Sequence, residues 1–208
     1  MGEHVNLHLD YKGNKEIVES VLSIGSKAFT VLLSIRANGD KDPALIVFSE
    51  KSGIPKSVEK KLIIPPNVQV AHSSNGYITI EILKQYILRN YNDVELMISD
   101  KCTSHTSDII RELYTEKGIK HISIPSNCTK YIQPLDVSIF RSFKAKLDQL
   151  KSEYIESNLN ERTKAGNIKN PTRQNAINWI SIAFEDISSE IIEIKKNQSH
   201  LIIVLNLR

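Results

Sequence analysis

The chain has 208 residues, of which 40% are hydrophobic and 25% charged, with a formal net charge of +3. This composition predicts a soluble globular protein with one sizeable core, and its small positive excess does not by itself indicate a nucleic-acid partner. Cys102 and Cys128 form no CxxC pair, which argues against structural zinc and fits a reducing compartment, cytosol or nucleus. We also expect no signal peptide and no membrane span, because no apolar run is long enough, and no myristoylation, because Asn6 stands where that motif has Ser or Thr.

The first half of the chain predicts a β-hairpin and then an amphipathic helix. Residues 28–35 and 44–48 have the short, apolar, β-branched pattern of strands, and Asn38-Gly39-Asp40 between them is a strong turn signal. Residues 77–90 have helical spacing with Thr79 as the expected N-cap. The buried stripe of this helix is predicted to be Ile80, Leu83, Ile87 and Leu88.

The second half alternates strands with helices, which predicts an α/β fold with a sheet of mixed direction. Gly118 is a suitable residue to end the helix that precedes it. No element is assigned to residues 191–208. The predicted strands are 94–100 and 121–125, and the predicted helices are 106–117, 136–157 and 172–187.

Two carboxylates stand at element ends. Asp100 closes an apolar strand, and ligands of open α/β sheets gather at that edge. Asp136 follows Gln133-Pro134-Leu135 at the start of the long helix, where a negative charge is stabilised by about 0.3–1 kcal/mol. Taken singly, each has an ordinary structural interpretation, a turn-capping residue for Asp100 and a helix N-cap for Asp136.

Taken with its surroundings, the segment from residue 96 to residue 144 resembles the core of the DDE endonuclease domain of pogo, Tigger and jerky-like transposases. The shared features are an apolar strand ending in Asp, a His shortly after it, a second strand ending in Pro, and a QPLD element entering a helix with an F-K pair. Upstream and downstream patterns extend the resemblance to about residues 10–190. The residues that carry it are Asp100, His105, Ile124-Pro125, Gln133 to Asp136, and Phe143-Lys144.

The resemblance implies an RNase H-like fold, a mixed sheet flanked by helices, with three carboxylates that hold two Mg²⁺ or Mn²⁺ ions. Such a pair of ions activates the attacking oxygen and stabilises the leaving oxygen when a DNA strand is cut and joined. Asp100 matches the family's second acid and Asp136 its third. The resemblance further implies a DNA partner, a nuclear location and self-association into multimers, with no membrane or small-molecule substrate.

The sequence departs from the family pattern at its front. The family's first acid lies on a first strand ahead of a K-G segment, and here that segment is Lys12-Gly13, with almost nothing before it. Asp10 is the one substitute that the sequence offers. We therefore expect a partial domain over residues 1–190, a divergent tail over 191–208, a sheet without its central first strand, and little or no catalysis.

Other polar residues extend the expected site. His105 and Gln133 are candidate supporting residues, although a hydrogen bond within its loop explains His105 equally well. Arg141, Lys144 and Lys146 are candidates for DNA phosphate contacts, the alternative being an ordinary solvated helix face. Two rival functions stay open, a domesticated nuclear DNA-binding or protein-interaction module without catalysis, and a degraded gene fragment.

Overall fold

The structure is a computed structural model that describes residues 23–24, 27–100, 104–124, 134–159, 169–188 and 201–207. The predicted strands and helices are confirmed, with ends that differ by a few residues. The strands are β1 (Ser23–Ile24), β2 (Lys27–Arg36), β3 (Lys41–Ser49), β4 (Val68–Ser73), β5 (Leu96–Asp100), β6 (Lys120–Ile124) and β7 (Leu201–Leu207). The helices are α1 (Lys56–Glu59), α2 (Ile80–Asn90), α3 (Asp108–Glu116), α4 (Pro134–Ser157) and α5 (Arg173–Glu185).

The sheet is mixed and carries helices on both faces, as an RNase H-like fold requires. Its strand order is β4-β3-β2-β7-β5-β6, with β1 paired to β2. Strand β2 runs antiparallel to β3 and β7, whereas β3–β4, β5–β7 and β5–β6 are parallel pairs. In the described part of the chain, no helix is long and apolar enough to cross a membrane.

Strand alternation divides the core into two layers. Val31, Leu33 and Ile35 of β2 pack in one cluster with buried residues of α4 and α5. Leu32 of β2 packs in the other cluster with buried residues of α2 and α3. Because successive side chains of a strand point to opposite faces, the sheet is enclosed between these two helix pairs.

Local signals place the turns and helix ends where the sequence predicts them. Gly39 adopts φ 94° in the β2–β3 turn, and Gly118 adopts φ 70° just after α3. These left-handed conformations suit glycine, which has no Cβ. Thr79 caps α2 by accepting a hydrogen bond from the Ile82 amide, and Thr172 forms a capping box at the start of α5.

A buried polar network fixes the hairpin to the segment after α2. The Tyr91 hydroxyl donates to Ser34 Oγ at 3.0 Å, and Ser34 Oγ donates to Asp42 Oδ2 at 2.9 Å. Arg36 donates from Nη2 to Asp42 at 3.0 Å and from Nη1 to Asp93 at 2.9 Å. Burial raises the pKa of Asp42 in spite of Arg36. This network clamps the sheet towards the amino ends of β5 and β7, away from the edge where Asp100 lies.

The centre of the sheet is filled by a segment to which the sequence assigned no element. Leu201–Leu207, which we expected to belong to a divergent tail, forms β7 between β2 and β5. Its Ile202 and Val204 are 0% and 1% exposed. The apolar run has no polar alternation, and its strand partners are remote in sequence. The pattern therefore did not identify it as a strand. The expected absence of the family's first strand falls on residues outside the described part of the chain.

Two smaller differences have physical reasons. Strand β4 was not predicted, because it is a partly exposed strand whose neighbouring residues contain turn-forming prolines. On α2, Leu88 is 42% exposed, and the buried stripe includes Tyr86 instead. Burial of Tyr86 is tolerated because its hydroxyl donates to the Pro43 carbonyl oxygen at 2.8 Å.

The central position of β7 predicts a large loss of stability when its core contact is truncated. Ile202→Ala is expected to lower the free energy of unfolding by about 2–5 kcal/mol, because it removes a fully buried side chain that the fold cannot replace. The matched control is Ile122→Ala on β6, where the side chain is 44% exposed and the expected loss is about 1 kcal/mol or less. Urea unfolding measures both, and equal losses would show that β7 does not hold the sheet together.

Candidate functional site

Asp100 lies at the carboxyl edge of the parallel part of the sheet. It is the last residue of β5 and pairs with Ile124, the last residue of β6. The preceding residue, Ser99, pairs with Val204 of the central strand. Because β5, β6 and β7 run in one direction, their carboxyl ends meet at this edge, where open α/β sheets hold their ligands.

The two predicted acids stand at the ends of two elements, Asp100 at the end of β5 and Asp136 in the first turn of α4. Before Asp100, Met97 packs in the cluster with α2 and α3, and Ser99 bonds to His121 on that face. Phe143 of α4 packs in the cluster on the other face of the sheet. Asp136 is the third residue of α4, and the structure describes the backbone of both acids but not their side chains.

The helix that carries Asp136 begins where its sequence dictates. Pro134 is the first residue of α4, a position at which its fixed φ suits the helix and its missing N–H is not needed. Asp136 thus stands in the first turn, at the positive end of the helix dipole. Two predicted supporting or substitute residues, Gln133 and Asp10, lie outside the described residues.

The described part of the chain offers some, but not all, of the oxygen ligands that a divalent cation needs. Carboxylate oxygens are the ligands that Mg²⁺ and Mn²⁺ prefer, and Asp100 and Asp136 would provide two of them. Among the residues that the structure describes, no group of three His, Cys, Asp or Glu could hold a metal ion. The central strand next to Asp100 contributes no acid, because its sequence is LIIVLNL.

A polar cluster lies behind Asp100 on the opposite face of the sheet. Ser99 is 0% exposed, and its Oγ is 2.9 Å from His121 Nε2. The His121 ring packs against the Tyr114 ring of α3, with centroids 5.0 Å apart. Burial, together with the positive charge of Arg111, lowers the pKa of His121. The imidazole is therefore neutral near pH 7 and hydrogen-bonds Ser99 as either donor or acceptor.

His105, a predicted supporting residue, belongs to this interior cluster. It follows β5 and is 0% exposed. Burial, with a smaller contribution from His121, lowers its pKa to about 4. A neutral, fully covered imidazole is poorly placed to meet a phosphate, so its position favours the internal role over the phosphate contact.

The three predicted DNA-contacting residues lie close together in the middle of α4. Arg141 is exposed, whereas Lys144 and Lys146 are half-buried around the buried Phe143 and Leu147. The acids Asp148, Glu153 and Glu156 follow in the second half of the helix. Because the two halves carry equal numbers of basic residues, the difference between them is the acids, and the net charge is positive only in the half that contains Asp136.

Ser99 and His121 were not singled out from the sequence. Ser99 resembles any small residue within a buried strand, and His121 any residue at the start of a short edge strand. The only available signal is that Ser99 directly precedes the strand-end Asp. Their hydrogen bond depends on the β5–β6 register, which the sequence pattern does not specify.

Comparisons with known proteins agree with the resemblance drawn from the sequence. Residues 26–195 match the family described as DDE superfamily endonuclease. The chain is 21% identical over 192 residues to the mouse protein "Pogo transposable element with KRAB domain", covering 88% of this chain and 31% of that protein. The human protein of the same name is 20% identical over the same length, covering 88% and 30%. The chain therefore spans about a third of these relatives, and no solved structure matches it.

The buried histidine predicts a loss of stability in mild acid. His105 titrates near pH 4 when folded and near pH 6.5 when unfolded, so the unfolded state binds more protons between these values. Stability is thus fully present above pH 6.5 and falls as pH drops towards 4, by about 3 kcal/mol from this residue.

Urea unfolding of the parent and of His105→Gln between pH 7 and pH 4.5 tests this prediction. The variant is expected to show a flatter pH dependence, whatever its absolute stability. His72→Gln is the matched control, because His72 is exposed on the edge strand β4. A His105→Gln curve parallel to that of the parent would rule out His105 as the source.

Proposed function

The chain belongs to the DDE superfamily endonuclease family, and on this premise we propose that it is a transposon-derived nuclease domain. Its ancestral role is the metal-dependent cleavage of DNA and the joining of the cut strand to a target. The observation that carries the proposal is the position of Asp100 at the carboxyl edge of the sheet, beside the central strand. Asp136, in the first turn of α4, is proposed as the family's third acid, with Asp100 as the second.

The two acids would hold Mg²⁺ or Mn²⁺, and Asp100 and Asp136 supply the oxygen donors. When bound, such ions activate a water or 3′-hydroxyl and stabilise the leaving oxygen of a phosphodiester. The chain's own contribution is positional, because Asp100 is fixed by the ladder to β6, and Asp136 by the packing of α4. The family's two-ion arrangement needs a third carboxylate in the same place.

We propose that this chain has lost most of its catalytic activity. Ser99 of β5 pairs with Val204 of β7. Because the two strands are parallel, the next residues along them, Asp100 and Leu205, also lie side by side. Ile202 and Val204 are buried on one face, and we propose from strand alternation that positions 205 and 100 belong to the other. A leucine thus stands at the strand position where a third carboxylate would complete the set. Metal binding would then be weak and the two-ion geometry incomplete.

We propose that DNA binds along α4 from Arg141 to Lys146. Arg141, Lys144 and Lys146 lie within ten residues of Asp136 on one helix, whereas the acidic residues follow later. Basic side chains next to the acids would hold the phosphate backbone close to Asp100. This contact needs no particular base sequence, because phosphate contacts set affinity and orientation.

A second candidate is a domesticated nuclear module that binds DNA or a protein without catalysis. The leucine at position 205 favours it, because that residue removes the chemistry and leaves the basic helix intact. The two candidates share a nuclear location and the capacity for self-association. They differ in metal dependence, since a module without catalysis binds DNA equally well in EDTA.

The acid pair predicts a weak, saturable Mn²⁺ site. Asp100→Ala and Asp136→Ala are each expected to weaken Mn²⁺ binding by about tenfold or more, since each removes a direct ligand. Titration calorimetry or the Mn²⁺ electron paramagnetic resonance signal measures the affinity. Asp148→Ala is the matched control on the same helix, because that side chain is 74% exposed and lies in the more acidic half. Equal affinities for all four chains would remove the metal-binding part of the proposal.

Adding the third carboxylate is the complementary experiment. Leu205→Asp is expected to strengthen Mn²⁺ binding by about tenfold, provided that Asp100 is present. Leu205→Asn has nearly the same shape without the charge and should leave the affinity unchanged. Nicking of supercoiled plasmid by Leu205→Asp, but not by Leu205→Asn, would support ancestral nuclease chemistry. Equal Mn²⁺ affinity in the two variants would contradict the placement of position 205 beside Asp100.

Binding through phosphates predicts a specific salt dependence. Changing Arg141, Lys144 and Lys146 together to Gln should reduce the slope of log affinity against log salt by about 2–3, close to one per phosphate contact. Fluorescence anisotropy with a labelled duplex measures the slope. Lys151→Gln is the control, because Lys151 already pairs with Asp148 at 3.7 Å. An unchanged slope in the triple variant would show that these three residues do not contact DNA phosphates.

A further inference from the structure

We propose that Ser99 and His121 act as positioning residues for Asp100, by tying the carboxyl end of β5 to β6 from the opposite face of the sheet. The inference deepens the proposed metal site and rests on it for its functional consequence. Its structural part depends only on the described side chains.

The first step is the geometry of the link. Ser99 is in register with Ser123, and His121 with Met97, so the Ser99–His121 hydrogen bond crosses the β5–β6 ladder diagonally. It joins the two strands through side chains one residue before Asp100, in addition to the backbone ladder. The distance of 2.9 Å makes it a well-formed, part-buried hydrogen bond, with Ser99 fully buried and His121 half-buried.

The second step is the support of the histidine. The His121 ring packs at 41° against the Tyr114 ring, and Tyr114 is 2% exposed on α3. The imidazole ring is thus held by α3, while its Nε2 lies within hydrogen-bonding distance of Ser99 on β5. Burial and Arg111 keep the imidazole neutral, so that it bonds to the hydroxyl without a buried charge.

The third step connects this pair to Asp100. Adjacent residues of a strand share a planar peptide, so a displacement of Ser99 displaces Asp100 on the other face. Ile124 is paired with Asp100 and ends β6, so the Ser99–His121 hydrogen bond lies one residue before the last pair of this ladder. Residues that orient metal ligands in this way influence metal affinity without touching the ion.

The experiment uses the full chain and three variants. Ser99→Ala removes the hydroxyl, and His121→Phe keeps the ring packing on Tyr114 but loses the hydrogen bond. His121→Gln places an amide nitrogen near the former Nε2 and is the conservative rescue. His72→Gln, on the opposite edge strand, is the matched control.

The first readout is amide hydrogen exchange by nuclear magnetic resonance. Ser99→Ala and His121→Phe are expected to speed exchange within the Asp100–Ile124 pair by about tenfold, the effect of losing one buried hydrogen bond. The Val31–Ile46 pair in the hairpin should change much less. His121→Gln should restore slow exchange. The proposal is overturned by equal acceleration at both pairs, or by a Gln variant that behaves like the Phe variant.

The second readout is Mn²⁺ affinity, expected to weaken by about tenfold in Ser99→Ala and His121→Phe and to recover in His121→Gln. If the parent chain does not bind Mn²⁺ through Asp100, the proposed metal site is wrong. The hydrogen-exchange experiment would still show whether Ser99 and His121 fix the position of Asp100. Altered exchange with unchanged Mn²⁺ affinity would reduce the pair to a structural link and overturn the proposal.

Discussion

The fold depends on a central strand that is remote in sequence from both of its neighbours. In the described part of the chain, β2 and β5 meet only through β7, which is antiparallel to one and parallel to the other. Without it, two half-sheets would each expose a row of unpaired backbone groups at the former centre, an unfavourable arrangement that also invites aggregation. Burial of Ile202 and Val204 stabilises the join, so the two core layers form around residues 201–207.

The same strand controls the chemistry, because the residue next to Asp100 depends on which segment fills the centre. A strand with the correct direction and burial satisfies the sheet, whether or not it carries a carboxylate. Here the segment is LIIVLNL, which meets the packing requirement and provides no acid. Packing and metal binding therefore place separate demands on this strand, since the sheet selects for apolar side chains and a metal would select for oxygen donors.

Local signals predicted most of the fold, and non-local pairing explains what they did not predict. The Asn38-Gly39 turn, the Thr79 cap and Gly118 are each explained by a few neighbouring residues, and the elements that they bound were predicted correctly. Strand β7 was not predicted, because its identity depends on partners far along the chain. Asp100 and Asp136 were indicated by a resemblance that spans several elements, whereas the Ser99–His121 bond requires a register that no local pattern encodes.

A polar cluster at the end of β5 interrupts an otherwise apolar layer of the core. Ser99 is buried on one face of β5, with His121, Tyr114 and His105 close by, one residue before Asp100 at the end of the strand. An apolar replacement of this cluster would satisfy packing, but it would provide no directional contact to fix the end of β5. Keeping both imidazoles neutral avoids the larger cost of burying charge. The arrangement is understandable if the exact position of the strand end matters, as it does when the next residue is a metal ligand.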